Sequence, residues 1–154
     1  MPSRNLKDAV KELRDKYDEI LHQFEFEKPG YTLNITCTHR TPEEQHELFK
    51  KGRILDIDGH VLKIDHSQVV TNCDGIHILS AHNYYPARAV DIVVIDTVDH
   101  KAHWEEWLYS PLVAICNKLG LTNGGSWTTF KDWPHIEVKN YKNYKVTEHY
   151  ANSN

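Results

Sequence analysis

The stretch Ala89-Val90-Asp91-Ile92-Val93-Val94-Ile95 constrains this chain more than any other. Val and Ile are stiff at χ1 and fit a pleated surface, so the run reads as a buried strand. Asp91 interrupts it. A carboxylate buried without a partner is costly, so something must answer its charge. A bound cation would do so, and so would a salt bridge to Arg88 or Arg40. The run by itself leaves both open.

The chain around that strand is of ordinary size and polarity. Its 154 residues suit one domain, 1–154, with enough surface buried for a single real core. An apolar share of 40% and a charged share of 26% exclude collagen-like, coiled-coil and disordered readings. The longest apolar run, Leu112 to Cys116, is far too short to span a bilayer, so no membrane insertion is expected. The N-terminal residues are crowded with charge and have no apolar core of a signal peptide. Synthesis in the cytoplasm is therefore the expectation. Eighteen Lys and Arg against 22 Asp and Glu give a formal net charge of −4 with no concentrated basic footprint, which argues against nucleic acid as a partner. Cys37, Cys73 and Cys116 are too few and too scattered for a disulfide scaffold and read as plain thiols. The eleven histidines are the unusual number. At least eight read as solvated groups, which leaves a few free for metal chemistry.

Leu6, Val10, Leu13, Tyr17, Ile20, Leu21 and Phe24 recur at helical spacing, and Lys28-Pro29-Gly30 closes that helix. Tyr31 to Thr36 alternates as a half-buried strand does. Thr41-Pro42-Glu43-Glu44 opens a second helix, with Thr41 as N-cap and Pro42 first inside, and Gly52 ends it after Lys51. From Arg53 to Leu79 the chain is polar and turn-rich, with an extended piece at His60 to Ile64. Asp56-Ile57-Asp58-Gly59 lacks the distal acidic ligand of a calcium loop and reads as a hairpin turn. Trp104, Trp107, Leu108, Ile115 and Leu119 mark a third helix ending at Gly120. Asn123-Gly124-Gly125 reads as a turn, His135 to Val138 as a short last strand, and the tail after Asn140 as irregular. The sum is an α+β domain without repeats or linkers.

Three places hold the residue types a metal hydrolase needs. Ser80-Ala81-His82 precedes Asp91 by a turn-forming Asn83-Tyr84-Tyr85-Pro86 that could fold back. Asp132-Trp133-Pro134-His135-Ile136-Glu137 puts Asp132 in a loop, since Pro134 disfavours helix before it, and His135 at a strand start. Thr38-His39-Arg40-Thr41-Pro42 places Arg40 at a strand-to-helix junction, where a guanidinium suits an oxyanion or a carboxylate. Hydrogen-bonded loop groups and a surface arginine are the plain alternatives for each place taken alone. Together, His82, Asp91 and His135 make three N and O ligands with a fourth position open, the pattern of a catalytic zinc rather than a closed structural one. Asp132 is then free to act as a general base.

In this order, Ser-x-His, Ala-x-Asp and Asp-x-Pro-His-x-Glu resemble the M15 metallopeptidases, the VanY-like and L-alanyl-D-glutamate peptidases, and most closely their small phage endolysins. Thr38 to Gln45 is similar to their arginine-bearing segment, and Gly124-Gly125-Ser126-Trp127 to the Gly-Gly-x-Trp before the last ligand. The likeness covers roughly Tyr31 to Val138. It departs in the nine residues from His82 to Asp91, where many relatives have seven, and in His39, where the usual residue is Tyr.

The resemblance implies a small antiparallel sheet with flanking helices, the hedgehog/D-alanyl-D-alanine peptidase-like zinc fold. It implies one Zn2+ per chain on His82, Asp91 and His135, with Asp132 as general base. Arg40 would stabilise the oxyanion or anchor the substrate, with Gln45 and Ser80 as further substrate contacts. Glu137 could orient His135, and Trp127 could line the cleft. The implied partners are peptidoglycan stem peptides, cut at L-alanyl-D-glutamate by a monomer that reaches the wall after release and carries no separate cell-wall-binding domain. A D-alanyl-D-alanine carboxypeptidase or dipeptidase is the alternative within enzymes. A non-catalytic zinc-stabilised binding module is the alternative outside them.

Overall fold

The β-branched run forms β4, Ala89–Asp96, the strand through which the sheet is organised. In this computed structural model, which describes residues 1–146, β4 pairs antiparallel with β1 (Tyr31–Cys37) along one edge. Its other edge is shared by β7 (Asp132–Val138), next to Ala89 to Asp91, and by the short β5 (Ala102–His103), next to Val94 and Ile95. Beyond β7 lies β6 (Leu121–Gly124), which completes a sheet of order β1-β4-β7-β6 with β5 at its side.

Alternation along β4 separates two functions. Val90, Ile92 and Val94 are fully buried against a helical layer. That layer is α1 (Lys11–Glu27), which contributes Leu13, Tyr17, Ile20 and Phe24, and α4 (Leu112–Lys118), which contributes Leu112, Ile115 and Cys116. Asp91 points to the opposite face by the period of two. There it lines a cleft with Gln45 and Leu48 of α2 (Pro42–Lys50) and with residues 69–73, while the hairpin of β2 (Arg53–Leu55) and β3 (Val61–Ile64) packs on α2. The α+β class and the antiparallel sheet with flanking helices agree with the sequence. So does α2, whose Thr41 hydroxyl accepts from the Glu44 N–H while the Glu44 carboxylate accepts from the Thr41 N–H. Among the described residues, no helix is long and apolar enough to cross a membrane.

Five expectations are corrected. The first helix does not run unbroken from Leu6: Leu6–Asp8 is a separate 3₁₀ turn and α1 starts at Lys11. Ala9 and Val10 are extended between them because the Val10 N–H is spent on the Ala87 carbonyl. The third helix is two pieces, α3 (Glu106–Tyr109) and α4, broken at Pro111, which has no N–H to continue the ladder. Trp104 precedes both, and it and Trp107 face solvent. Asn123 and Gly124 belong to β6, so the turn begins at Gly125, two residues later than read. Asp132 opens β7 rather than lying in a loop. Pro134 is tolerated because the register shifts between Asn123 and Gly124, so it falls in a bulge that needs no N–H. The tail read as irregular after Asn140 in fact starts with a 3₁₀ turn, Tyr141–Asn143, and is irregular from Tyr144 to Val146; its remainder lies outside the described residues.

Replacing Ile92, which has no exposure at the centre of this core, tests the layer directly. Ile92→Ala should destabilise the fold by about 2–5 kcal/mol, read as a lower midpoint in urea at unchanged slope. A loss under about 1 kcal/mol would mean that β4 is not the strand on which the core is built.

Candidate active site

Neighbouring strands bring Asp91 its partners through register alone. Asp91 lies opposite His135 on β7 and opposite Cys37 on β1, and a bulge between Ile35 and Cys37 turns Cys37 to the Asp91 side. His82 arrives from outside the sheet, on a 3₁₀ turn at Ala81–Asn83. The Ser80 hydroxyl caps that turn by accepting from the His82 N–H at 3.2 Å. Asn83 ties it down by donating to the Arg40 carbonyl at 3.0 Å. The Arg40 N–H returns a bond to the His82 carbonyl at 2.9 Å.

The result is a tight triangle. His82 Nε2 is 3.1 Å from Asp91 Oδ1, His135 Nδ1 is 3.0 Å from the same oxygen, and the two ring nitrogens are 3.3 Å apart. The far side of each ring is already engaged. His82 Nδ1 donates to the Thr38 carbonyl at 2.6 Å, and His135 Nε2 donates to Glu137 Oε2 at 2.8 Å. A carbonyl and a carboxylate can only accept, so these bonds put a proton on each outer nitrogen. The inner nitrogens face Asp91 Oδ1 together, and a metal that displaced their protons would find two lone pairs and a carboxylate oxygen converging on one point. The electrostatics reflect the same closeness. Burial would raise the Asp91 carboxyl, yet the charge and hydrogen bonds of the two imidazoles hold it far below the carboxylate range. Both imidazoles are raised against the effect of their own burial.

The donor set fits a zinc-like ion. A tetrahedral ion with bonds of about 2.0–2.1 Å holds its ligand atoms roughly 3.3 Å apart, close to the three edges seen. Both imidazoles have the outward hydrogen bond that fixes a ligand ring. Of the eleven histidines in the chain, only His82 and His135 are buried among the described residues, which accords with the reading that most are solvated.

Around the triangle the structure gathers the remaining expected residues into a cleft of about 680 Å³. Asp132 stands at its rim, with a carboxylate oxygen within 4.8 Å of the ligand atoms of Asp91 and His135. That is beyond a direct hydrogen bond and within reach through one water. Crowding by the surrounding protein and the charge of Asp91 both raise its carboxyl, making it a better proton acceptor. Two glycines permit this placement: a Cβ on Gly124 would strike the Asp132 backbone, and one on Gly125 the Trp133 ring. Arg40 Nη2 lies 3.7 Å from Asp91 Oδ2, which is the salt bridge the sequence left open beside a bound cation. Arg88 is not one of them, since its guanidinium stacks on Tyr84 and donates to the Tyr141 carbonyl.

Other positions differ in use from the sequence reading. Gln45 was expected to meet substrate, but its amide is taken up inside the protein. It accepts from Arg40 Nη1 at 2.9 Å and donates to the Cys73 carbonyl at 3.0 Å and to Thr71 Oγ1 at 3.3 Å. Ser80, the other expected contact, lines the cleft, and its hydroxyl accepts from the His82 N–H. Cys37, read as a plain thiol, accepts from Arg40 Nη2 at 3.4 Å and lies 3.7 Å from His82 Nδ1. Trp127 lines the cleft with its ring tilted 5.2 Å from that of His135. Sequence reasoning missed Thr38, whose backbone carbonyl orients His82. No side-chain pattern could reveal it. Glu137 was legible from its spacing of two from His135.

Residues 75–138 match a peptidase family profile of the M15 group described as D-alanyl-D-alanine carboxypeptidase. Over 120 residues the chain is 31% identical to the peptidoglycan L-alanyl-D-glutamate endopeptidase CwlK of Bacillus subtilis (strain 168). That alignment takes in 71% of this chain and 62% of CwlK, so the chain spans somewhat less than two thirds of that relative. The fold is similar to the crystal structure of the Serratia marcescens L-Ala D-Glu endopeptidase ChiX, with a TM-score of 0.50 and 16% identity over 90% of this chain and 88% of that one.

Removing the outward bond on His135 should loosen the centre without touching a ligand. Glu137→Ala is expected to weaken binding of zinc by about 10- to 100-fold, measured by competition with a chromophoric chelator. Unchanged affinity would show that Glu137 does not hold the ring.

Proposed function

We propose that this chain is a peptidase of the M15 family, as the profile match and the likeness to CwlK support, and that it hydrolyses a stem-peptide bond of peptidoglycan, L-alanyl-D-glutamate, with one zinc ion. The observation that carries this reading is the convergence of His82 Nε2, His135 Nδ1 and Asp91 Oδ1 on one point with both rings' outer protons already committed. The choice of bond rests on what CwlK and ChiX are described as cutting.

In this mechanism His82, Asp91 and His135 hold the metal, which when bound supplies Lewis acidity for the scissile carbonyl and for the attacking water. Asp132 takes the proton from that water at its carboxylate and passes it to the leaving amine. Its raised affinity for a proton suits both halves of that transfer. Arg40, held by Gln45 and Cys37, directs its guanidinium at the negative charge that develops on the carbonyl oxygen or at a substrate carboxylate. Trp127 walls the cleft and limits water around the reacting groups. Glu137 and the Thr38 carbonyl keep the two imidazoles in the tautomers that the metal needs.

The description attached to the matched family profile favours a second reading, a carboxypeptidase that removes terminal D-alanine. Digestion of purified peptidoglycan, with fragments identified by mass spectrometry, separates the two. New D-Glu amino termini paired with L-Ala carboxyl termini are expected, and release of D-alanine alone would replace the endopeptidase with the carboxypeptidase. An endolysin role belongs to the same proposal. Added protein should clear a suspension of outer-membrane-permeabilised cells, and intact sacculi after treatment would remove that role.

Metal and base can be tested independently. About one zinc per chain is expected, and chelation should abolish wall digestion and lower the thermal midpoint. His82→Ala and His135→Ala should each lose the ion, and full occupancy in either would strike that residue from the ligand set. Asp132→Asn keeps shape but cannot accept a proton, so it should retain zinc while losing about 10²- to 10⁴-fold in rate. Near wild-type turnover in a zinc-loaded Asn variant would take Asp132 out of the mechanism.

A further inference from the structure

Arg40 and Asp91 carry opposite charges on mostly buried side chains, with 13% and 20% exposure, and yet they do not close. Arg40 Nη2 stops 3.7 Å from Asp91 Oδ2. A charge-assisted N–H···O bond settles at about 2.7–2.9 Å. Attraction between buried charges is strong, so a gap left open needs a restraint on each side. On the side of Asp91, the two imidazoles hold Oδ1. On the side of Arg40, the restraint is Gln45.

Gln45 is 1% exposed, and its amide has a single orientation. A guanidinium can only donate and a carbonyl can only accept. Oε1 therefore faces Arg40 Nη1 at 2.9 Å, and Nε2 faces the Cys73 carbonyl at 3.0 Å. Thr71 Oγ1 accepts from the same Nε2 at 3.3 Å. Packing removes further freedom, because Gly75, at a φ of +78°, lies so close that a Cβ there would come 2.8 Å from Gln45 Cβ. The Cys37 thiol accepts from Nη2 at 3.4 Å, but sulfur is a weak acceptor. Arg40 Nε is buried with no acceptor. Loss of Gln45 would leave a second dry N–H on the fork, with the Asp91 carboxylate beside it to take the bond. Gln45 is also neutral. A carboxylate in its place would answer the charge of Arg40 inside the protein, whereas an amide holds the fork and leaves its charge unspent.

We propose that Gln45 is a positioning residue that keeps the Arg40 guanidinium off Asp91, so that Asp91 stays with the metal and the charge of Arg40 stays with the substrate. The proposal rests on the zinc peptidase reading above. Gln45 then acts through Arg40 and touches neither metal nor substrate.

The test is a double-mutant cycle of Gln45→Met and Arg40→Ala, with zinc affinity read by competition with a chromophoric chelator. Met keeps the length of the side chain and loses the acceptor. Gln45→Met should weaken zinc binding by about 10- to 100-fold, because the freed guanidinium takes the carboxylate that the metal needs. In the Arg40→Ala background the same change should alter zinc affinity by no more than about twofold, since no guanidinium remains to be held. Gln45→Glu should bind zinc nearly as the wild type does and lose about 10²-fold in kcat/KM on a soluble stem peptide, because it holds the fork and neutralises it. Equal losses of zinc in both backgrounds would make Gln45 a plain structural residue, and unchanged affinity in Gln45→Met would show that Arg40 needs no holding; either result overturns the proposal. Should Gln45→Met fold poorly, the Glu variant still decides, since full activity there would mean that Gln45 protects no charge on Arg40. The expected zinc cycle with a wild type that cleaves no stem peptide would instead overturn the peptidase reading and leave the restraint on Arg40 standing.

Discussion

A carboxylate held in the middle strand of a hydrophobic sheet is the constraint on which the remaining structure depends. Asp91 shares β4 with Val90, Ile92 and Val94, so the segment that anchors the core also carries the charge that must be neutralised. Strand alternation reconciles the two demands by sending the apolar side chains to the helical layer and the acid to the other face. The partners of Asp91 follow from pairing. His135 is its neighbour across β7, Cys37 across β1, and Arg40 lies just beyond the end of β1. A rigid core and a precisely spaced polar triangle are therefore two faces of one strand.

The polar centre is built in layers whose outer members are mostly backbone or structural side chains. His82 is held by the Thr38 carbonyl, His135 by Glu137, and Arg40 by Gln45 and Cys37. Gln45 also ties the guanidinium to residues 71–73, which wall the cleft, so the position of Arg40 and the shape of the cleft are coupled. A buried imidazole with unsatisfied groups would be costly, and satisfying them fixes each ring in one orientation, while Arg40 is held through its two terminal nitrogens. Only Asp132 is left at the rim without a place in the triangle. That position outside the triangle and its raised carboxyl are what the proposed role as a base calls on.

The sequence and the structure part company where a backbone group or a long-range packing choice decides. The helical spacing from Leu6 to Phe24 is real, yet Val10 leaves the helix because its N–H finds the Ala87 carbonyl. Trp104 and Trp107 look like core markers by spacing and prove to be surface groups, because Pro111 breaks the helix they were assigned to and Leu108 and Tyr109 take the inward positions. Asp132 reads as a loop residue because of Pro134, and a bulge lets the strand begin there all the same. In the first and third cases local pattern was overruled by a hydrogen bond or strand pairing from another segment, and in the second by a proline within the segment itself.

What the sequence by itself determined is the local and compositional part: the buried strand with its acid, the capped second helix, the hairpin at Asp56 to Gly59, and the set of residues able to bind a metal. Those follow from side-chain stiffness, periodicity, capping and ligand chemistry, all of which act over a few residues. What only the tertiary structure decided is which atoms meet. Spacing along the chain could not bring His82 and Asp91 to 3.1 Å, because nine residues reach too far in any regular conformation. It could not say which nitrogen of either imidazole faces inward, because a carbonyl 44 residues away and a carboxylate two residues away set the tautomers. It could not say that the Gln45 amide is taken up between Arg40, Thr71 and Cys73. Chemistry of the residue types is written in the chain, whereas orientation depends on the three-dimensional closing of hydrogen bonds, and that closing exists only once the sheet has paired.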